Sequence, residues 1–144
     1  MPDREASFIV KRVVIDTNVL VSSMLSSEGN SARIMNLISD KQIQLFYCPA
    51  IMDEYKRVLA YEKLSITTQT QRSVVNAIEE LGIMIKPAAG DIPLPDESDR
   101  VFYDTARISG SILITGNIKH YPTEAFVMTP TAFLTAYEKG GAHA

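Results

Sequence analysis

The sequence predicts an α/β fold, with a mainly parallel sheet of about five strands and helices on both faces. Three observations lead there. Short apolar runs alternate with segments of helical periodicity along nearly the whole chain. The apolar runs are compact rather than alternating, as strands buried on both faces are. With 144 residues, the chain has the size of one ordinary domain with a proper core.

The elements follow in order. "RVVID" opens as the first strand, and "SARIMNLISD" repeats apolar residues at helical spacing. "QLFYCP", residues 44–49, is the second strand, and "PAIMDEYKRVLAY" follows with Pro49 at a helix start. "TTQTQRSVVNAIEELG" is a helix stopped by Gly82, and "GIMIKP", residues 82–87, is the third strand. "ESDRVFYDTARISG" is a helix stopped by Gly110. "SILIT", residues 111–115, and "AFVMT", residues 125–129, are the last two strands, and "TPTAFLTAYEKGG" closes the chain as a helix. No repeat or linker divides the chain, so residues 1–144 read as one domain with loose termini at about 1–7 and 139–144.

Composition narrows the function classes. Hydrophobic residues make up 46% and charged ones 22%, the balance of a soluble globular protein. No apolar run approaches the ~20 residues of a bilayer span. "MPDREAS" leads into no signal-type region, and the expected location is the cytoplasm. Cys48 is the one cysteine, which forbids an internal disulfide and fits a reducing compartment. The net charge of −3 is not the basic footprint of a protein that grips nucleic acid over a broad surface. Any basic surface must be local, and an acidic cluster that holds metal would itself lower the net charge.

In sheets of this kind the ligand site lies beyond the carboxyl ends of the strands. "VVIDTNVLV", residues 13–21, places Asp16 there, followed by Thr17 and Asn18. "ITGN" delivers Thr115, Gly116 and Asn117 to the same end. In the second helical segment, Ile51, Tyr55, Val58 and Leu59 form an apolar stripe. At roughly 100° per residue, Asp53 points away from that stripe and Glu54 lies on its edge. "LPDESDRVFYDTA" holds Asp96, Glu97, Asp99 and Asp104. Asp99 and Asp104 fall on opposite edges of its buried stripe, about 140° apart, and are not expected to share a ligand, whereas Asp96 and Asp99 are placed to do so. Each acid also has a plain structural reading. Asp16 would cap the next helix, and Asp96, Glu97 and Asp99 would favour a helix N-terminus through its dipole. Glu54 would be a solvated rim residue, Asn117 a turn residue and Cys48 a core residue. His120 would be a surface loop residue or, beside Lys119, a phosphate contact.

"VVIDTNVLVSSML", "PAIMDEYKRVL", "PDESDRVFYDTA" and "ILITGNIKHYP" together resemble the PIN domain (PilT N-terminus) family in order and spacing. The resemblance runs from Arg12 to Leu134 and is closest to a branch described as toxin components of toxin–antitoxin systems. Each motif is short; the four in order carry the resemblance. It implies a three-layer α/β/α sandwich and a metal-dependent endoribonuclease that leaves a 3′-hydroxyl. By position it implies Asp16, Glu54 and Asp99 as metal-holding acids for Mg²⁺ or Mn²⁺, with Asn117 at the fourth catalytic position. Asn18 and Thr115 stand as supporting polar neighbours, and Asp96 and Asp104 as extra acids. The family implies an RNA substrate, a separate antitoxin protein and a homodimer. Many members carry an acid where this chain has Asn117, so a second metal is expected to bind more weakly here. Arg33, Lys56, Arg57 and Lys119 are candidate phosphate grips.

Rival readings have sequence discriminators. A haloacid-dehalogenase-like phosphatase needs a second Asp where Asn18 stands. A phosphorylatable receiver domain needs paired acids before the strand-end Asp. A catalytically weak PIN scaffold that binds RNA or protein would fit the loss of charge at Asn117. The helical segment at 61–82 either covers the core or joins two subunits.

Overall fold

The computed structural model describes residues 12–142. Five strands form one sheet in the order β3-β2-β1-β4-β5. They are β1 (Arg12–Ile15), β2 (Gln44–Tyr47), β3 (Ile83–Met84), β4 (Ile112–Ile114) and β5 (Val127–Met128). Every pairing is parallel, with Val13 opposite Leu45 on one side and Ile112 on the other. The helices are α1 (Thr17–Leu25), α2 (Asn30–Ser39), α3 (Pro49–Leu59), α4 (Thr68–Leu81), α5 (Arg100–Ser109) and α6 (Pro130–Ala142). Together they make the α/β/α sandwich that strand–helix alternation predicts.

β1 is the middle strand, and beyond the exposed Arg12 at its start it is wholly apolar and buried. Val13 and Val14 are fully buried, as are Leu113 and Ile114 beside them in β4. The chain builds outward from β1 to β3, then returns to place β4 and β5 on the other side. The order therefore reverses between β1 and β4, and their carboxyl ends frame the crevice where such sheets hold ligands. Side chains from the helices complete the core, with Tyr55, Phe102, Tyr103 and Phe133 almost wholly enclosed. Tyr55 and Phe102 meet across α3 and α5 at 6.4 Å between ring centres.

Four details differ from the sequence pattern. The third strand, expected to be buried on both faces, is an edge strand of two residues, Ile83 and Met84, both exposed. The pattern marks only the start of α1, which follows Asp16 without a break. The helix expected from Glu97 begins as a 3₁₀ turn, Glu97–Asp99, and becomes α-helical at Arg100. Asp96 accepts from the Ser98 N–H, a local bond that favours a tight turn over an α-helical one. At the other end, α6 runs through Ala142, beyond residue 139 where a loose end is expected. Residues 1–7 and 143–144 lie outside the described residues.

The α4 helix buries Ile78 and packs Val74, Val75 and Leu81 partly against the core. No helix among the described residues is long and apolar enough to cross a membrane.

Candidate metal centre

Asp16 joins β1 to α1. Its backbone N–H donates to the Ile114 carbonyl at 3.0 Å, which ties it to β4. Its own carbonyl accepts from the N–H groups of Val19 and Leu20, so the residue occupies the N-cap position of α1. The side chain does not cap the helix. The Asp16 carboxylate turns outward instead, and its Oδ2 accepts from the Thr115 hydroxyl at 2.8 Å and the Tyr121 hydroxyl at 3.0 Å. A longer contact of 3.4 Å comes from the Asn18 amide. Backbone capping and side-chain presentation thus coexist in one residue.

The neighbours of Asp16 are themselves anchored. Thr115 is fully buried, and its hydroxyl also accepts from the Asn117 N–H at 3.0 Å. Asn18 accepts from the Gly116 N–H at 2.9 Å, which fastens α1 to the loop after β4. The approach is close: a Cβ at Gly116 would stand 3.3 Å from the Asn18 oxygen.

Glu54 reaches the same region from α3, with its side chain 24% exposed. It accepts a hydrogen bond from the Thr17 hydroxyl and lies 3.6 Å from Arg57. Asp53, beside it, is exposed. Tyr55 donates to the Ile15 carbonyl, which fixes α3 against the end of β1. Burial, reinforced by the charges of Asp16 and Glu54, holds the Tyr55 phenol well above its usual range.

Asp99 stands at the entry to α5. Its Oδ2 is buried and has no hydrogen-bond partner among the described residues. The His120 ring places its Nδ1 3.4 Å away. Burial pushes the Asp99 carboxyl from its usual 3.8 up to about 6, and the charges of Asp16, Asp96 and Glu54 add to the rise, while His120 opposes it. Asp16, Glu54 and Asp99 are therefore close enough for their charges to act on one another.

The remaining sequence candidates fall in different places. Asp96 is exposed, and the Ser98 side chain and backbone hold its carboxyl below the usual range. Asp104 is buried, but it accepts from the Gly90 N–H at 2.9 Å and lies 3.6 Å from Arg100. It secures the loop before α5. Asn117 is exposed at the rim. Of the candidate phosphate grips, Arg33 is paired with Glu138 at 2.7 Å, Arg57 leans on Glu54, and Lys56 and Lys119 are exposed.

Sequence reasoning passed over two residues of the site. Thr17 is adjacent to Asp16 and reads as part of the helix start. Tyr121 sits in "KHYP", where a bulky aromatic inside a polar loop was the available signal.

The donor set fits a hard divalent cation. It consists of carboxylate, hydroxyl and amide oxygens, the chemistry that Mg²⁺ and Mn²⁺ prefer. Among the described residues, no three His, Cys, Asp or Glu side chains close to the spacing of a finished metal cage. The orphaned Asp99 oxygen is an unsatisfied acceptor that a cation would serve.

A parallel sheet whose order reverses between two strands, with a carboxylate at the end of one of them, is the frame of an α/β fold that keeps its site at the reversal point. Residues 12–119 match the PIN domain family, and the chain is a member of it. The chain is also 27% identical over 143 residues to an uncharacterized protein, MJ1680, of Methanocaldococcus jannaschii; the match covers 89% of this chain and 92% of that protein. No solved structure matches the chain.

Proposed function

We propose that the protein is a metal-dependent endoribonuclease that cleaves single-stranded RNA. The observation that carries this reading is Asp99: a buried carboxylate oxygen with no hydrogen bond, 3.4 Å from the half-exposed His120 ring and under the repulsion of Asp16 and Glu54. Such an arrangement is unfavourable in isolation and becomes favourable around a cation.

In this reading Asp16, Glu54 and Asp99 hold Mg²⁺ or Mn²⁺, directly or through water. The ion, when bound, polarises the scissile phosphate, activates the attacking water and offsets the charge on the leaving oxygen. Asn117 helps a second site or orients the attacking water with its amide. Attack of water on phosphorus breaks the bond to the 3′ oxygen, which leaves as a 3′-hydroxyl. Lys56 and Lys119 grip flanking phosphates; Arg57 and Arg33, already set against carboxylates, contribute less. The order of the four motifs favours a toxin of a toxin–antitoxin pair, acting in the cytoplasm as a homodimer and restrained by a separate antitoxin protein.

The test is cleavage of labelled single-stranded and structured RNAs with Mn²⁺ or Mg²⁺ against a chelator control. Asp16→Asn and Asp99→Asn are run in parallel. Cutting that requires metal and vanishes in both variants supports the reading. Variants that cut as fast as the parent protein contradict it.

The uncharged, exposed Asn117 favours one alternative, a PIN scaffold that binds RNA or protein with little cleavage. That scaffold would bind Mn²⁺ poorly and gain no thermal stability from it.

A further inference from the structure

In the segment "KHYP", His120 and Tyr121 take no part in the reading above, yet these two residues reach two of the acids. His120 places its Nδ1 3.4 Å from Asp99 Oδ2, and Tyr121 donates to Asp16 Oδ2 at 3.0 Å. The two acids come from opposite ends of the chain, and this dipeptide faces both. A 3₁₀ turn, Ile118–His120, holds it in place through the bonds from His120 N–H to Asn117 and from Tyr121 N–H to Ile118.

Tyr121 is 4% exposed, while His120 is more than half exposed. A buried phenol needs a partner for its hydroxyl, and its own position is fixed by packing. With Thr115 it saturates one oxygen of Asp16. The other oxygen, Oδ1, accepts no hydrogen bond from the described residues. The consequence is directional: a carboxylate held by one oxygen cannot rotate freely and presents the second oxygen to the crevice.

We infer that Tyr121 is a positioning residue for the metal centre, setting the Asp16 carboxylate so that Oδ1 faces the cation. The inference rests on the metal-dependent reading above. Groups that hydrogen-bond a metal ligand change affinity by about 10- to 100-fold when removed.

The test is Mn²⁺ titration by calorimetry on Tyr121→Phe, which keeps the ring and loses only the hydroxyl. Asp16→Asn and Tyr103→Phe accompany it. Tyr103 is a useful control because it is equally buried and its hydroxyl bonds Glu124. The expected result is Mn²⁺ affinity lowered about 10-fold or more in Tyr121→Phe and unchanged in Tyr103→Phe. RNA cleavage should show a lower kcat with KM unchanged, and metal-free Tyr121→Phe should keep the parent's circular dichroism. Parent-like Mn²⁺ affinity in Tyr121→Phe, with affinity lost in Asp16→Asn, overturns the role of Tyr121 alone. An equal loss in Tyr103→Phe overturns it too, because the effect would then be general loosening. Parent-like affinity in Asp16→Asn overturns this inference and the metal-centre reading together.

Discussion

Asp99 is the residue at which the account is most exposed to measurement. Its carboxyl binds a proton more tightly in the folded protein, at about 6, than at its usual 3.8. A group shifted in this direction stabilises the fold below its unfolded value and loses that contribution as pH rises through the folded value. Metal-free protein should therefore gain stability relative to Asp99→Asn as pH falls from 7 to 5. Melting temperatures of both proteins in chelator at the two pH values check this. An identical difference at both would mean that neither burial nor the neighbouring acids raise the Asp99 carboxyl in the folded protein. Asp16 itself was half legible. Sequence places it at the end of a buried strand, where cap and ligand are even answers for the residue alone and the family resemblance favours the ligand. What sequence did not give is its hydroxyl partners, 99 and 105 residues away in the chain. No local pattern encodes a tyrosine hydroxyl that distant.

Among the elements, strands and helices were legible because each has a strong local signal: β-branched runs, apolar stripes, Pro at starts and Gly at stops. The 3₁₀ start of α5 was not, because its side-chain bonds compete with a helical pattern that looks continuous. The loop before α5 depends on Arg100, which donates to the carbonyls of Gly90 and Ile92 and pairs with Glu97 at 2.7 Å. Arg100→Ala should speed hydrogen exchange at residues 90–97 while leaving β1 and β4 protected; uniform exchange across the chain would contradict that local role. The last helix offers a second test. Phe133 in α6 is fully buried and stacks with Tyr137 at 6.0 Å. Phe133→Ala should destabilise the protein by about 3–5 kcal/mol in denaturant titration. A loss below 1 kcal/mol would mean that α6 is only peripherally attached.

At the scale of the whole molecule, the net charge of −3 limits how RNA is held. Lys56 and Lys119, the two lysines proposed to grip phosphates, are exposed and have no carboxylate partner among the described residues. Each phosphate neutralised on a single strand contributes about −0.7 to the slope of log affinity against log salt. Two such contacts predict a slope of roughly −1.4 for RNA bound to Asp16→Asn. A slope several times steeper would reveal a basic surface outside this account. The family was legible at this scale although no single motif suffices. Four short motifs in order on alternating strands and helices constrain the fold jointly, and the order reversal between β1 and β4 places the end of β1, with Asp16, at the crevice.

The central claim is that Asp16, Glu54 and Asp99 form one cation site. Its most direct test is the melting temperature of the parent protein and of Asp99→Asn across a Mn²⁺ titration. A ligand at 100 times its dissociation constant stabilises by about 2.7 kcal/mol, so the parent should show a saturable rise. Asp99→Asn should show little rise at the same concentrations. An equal rise in both proteins, or none in the parent, would contradict the claim.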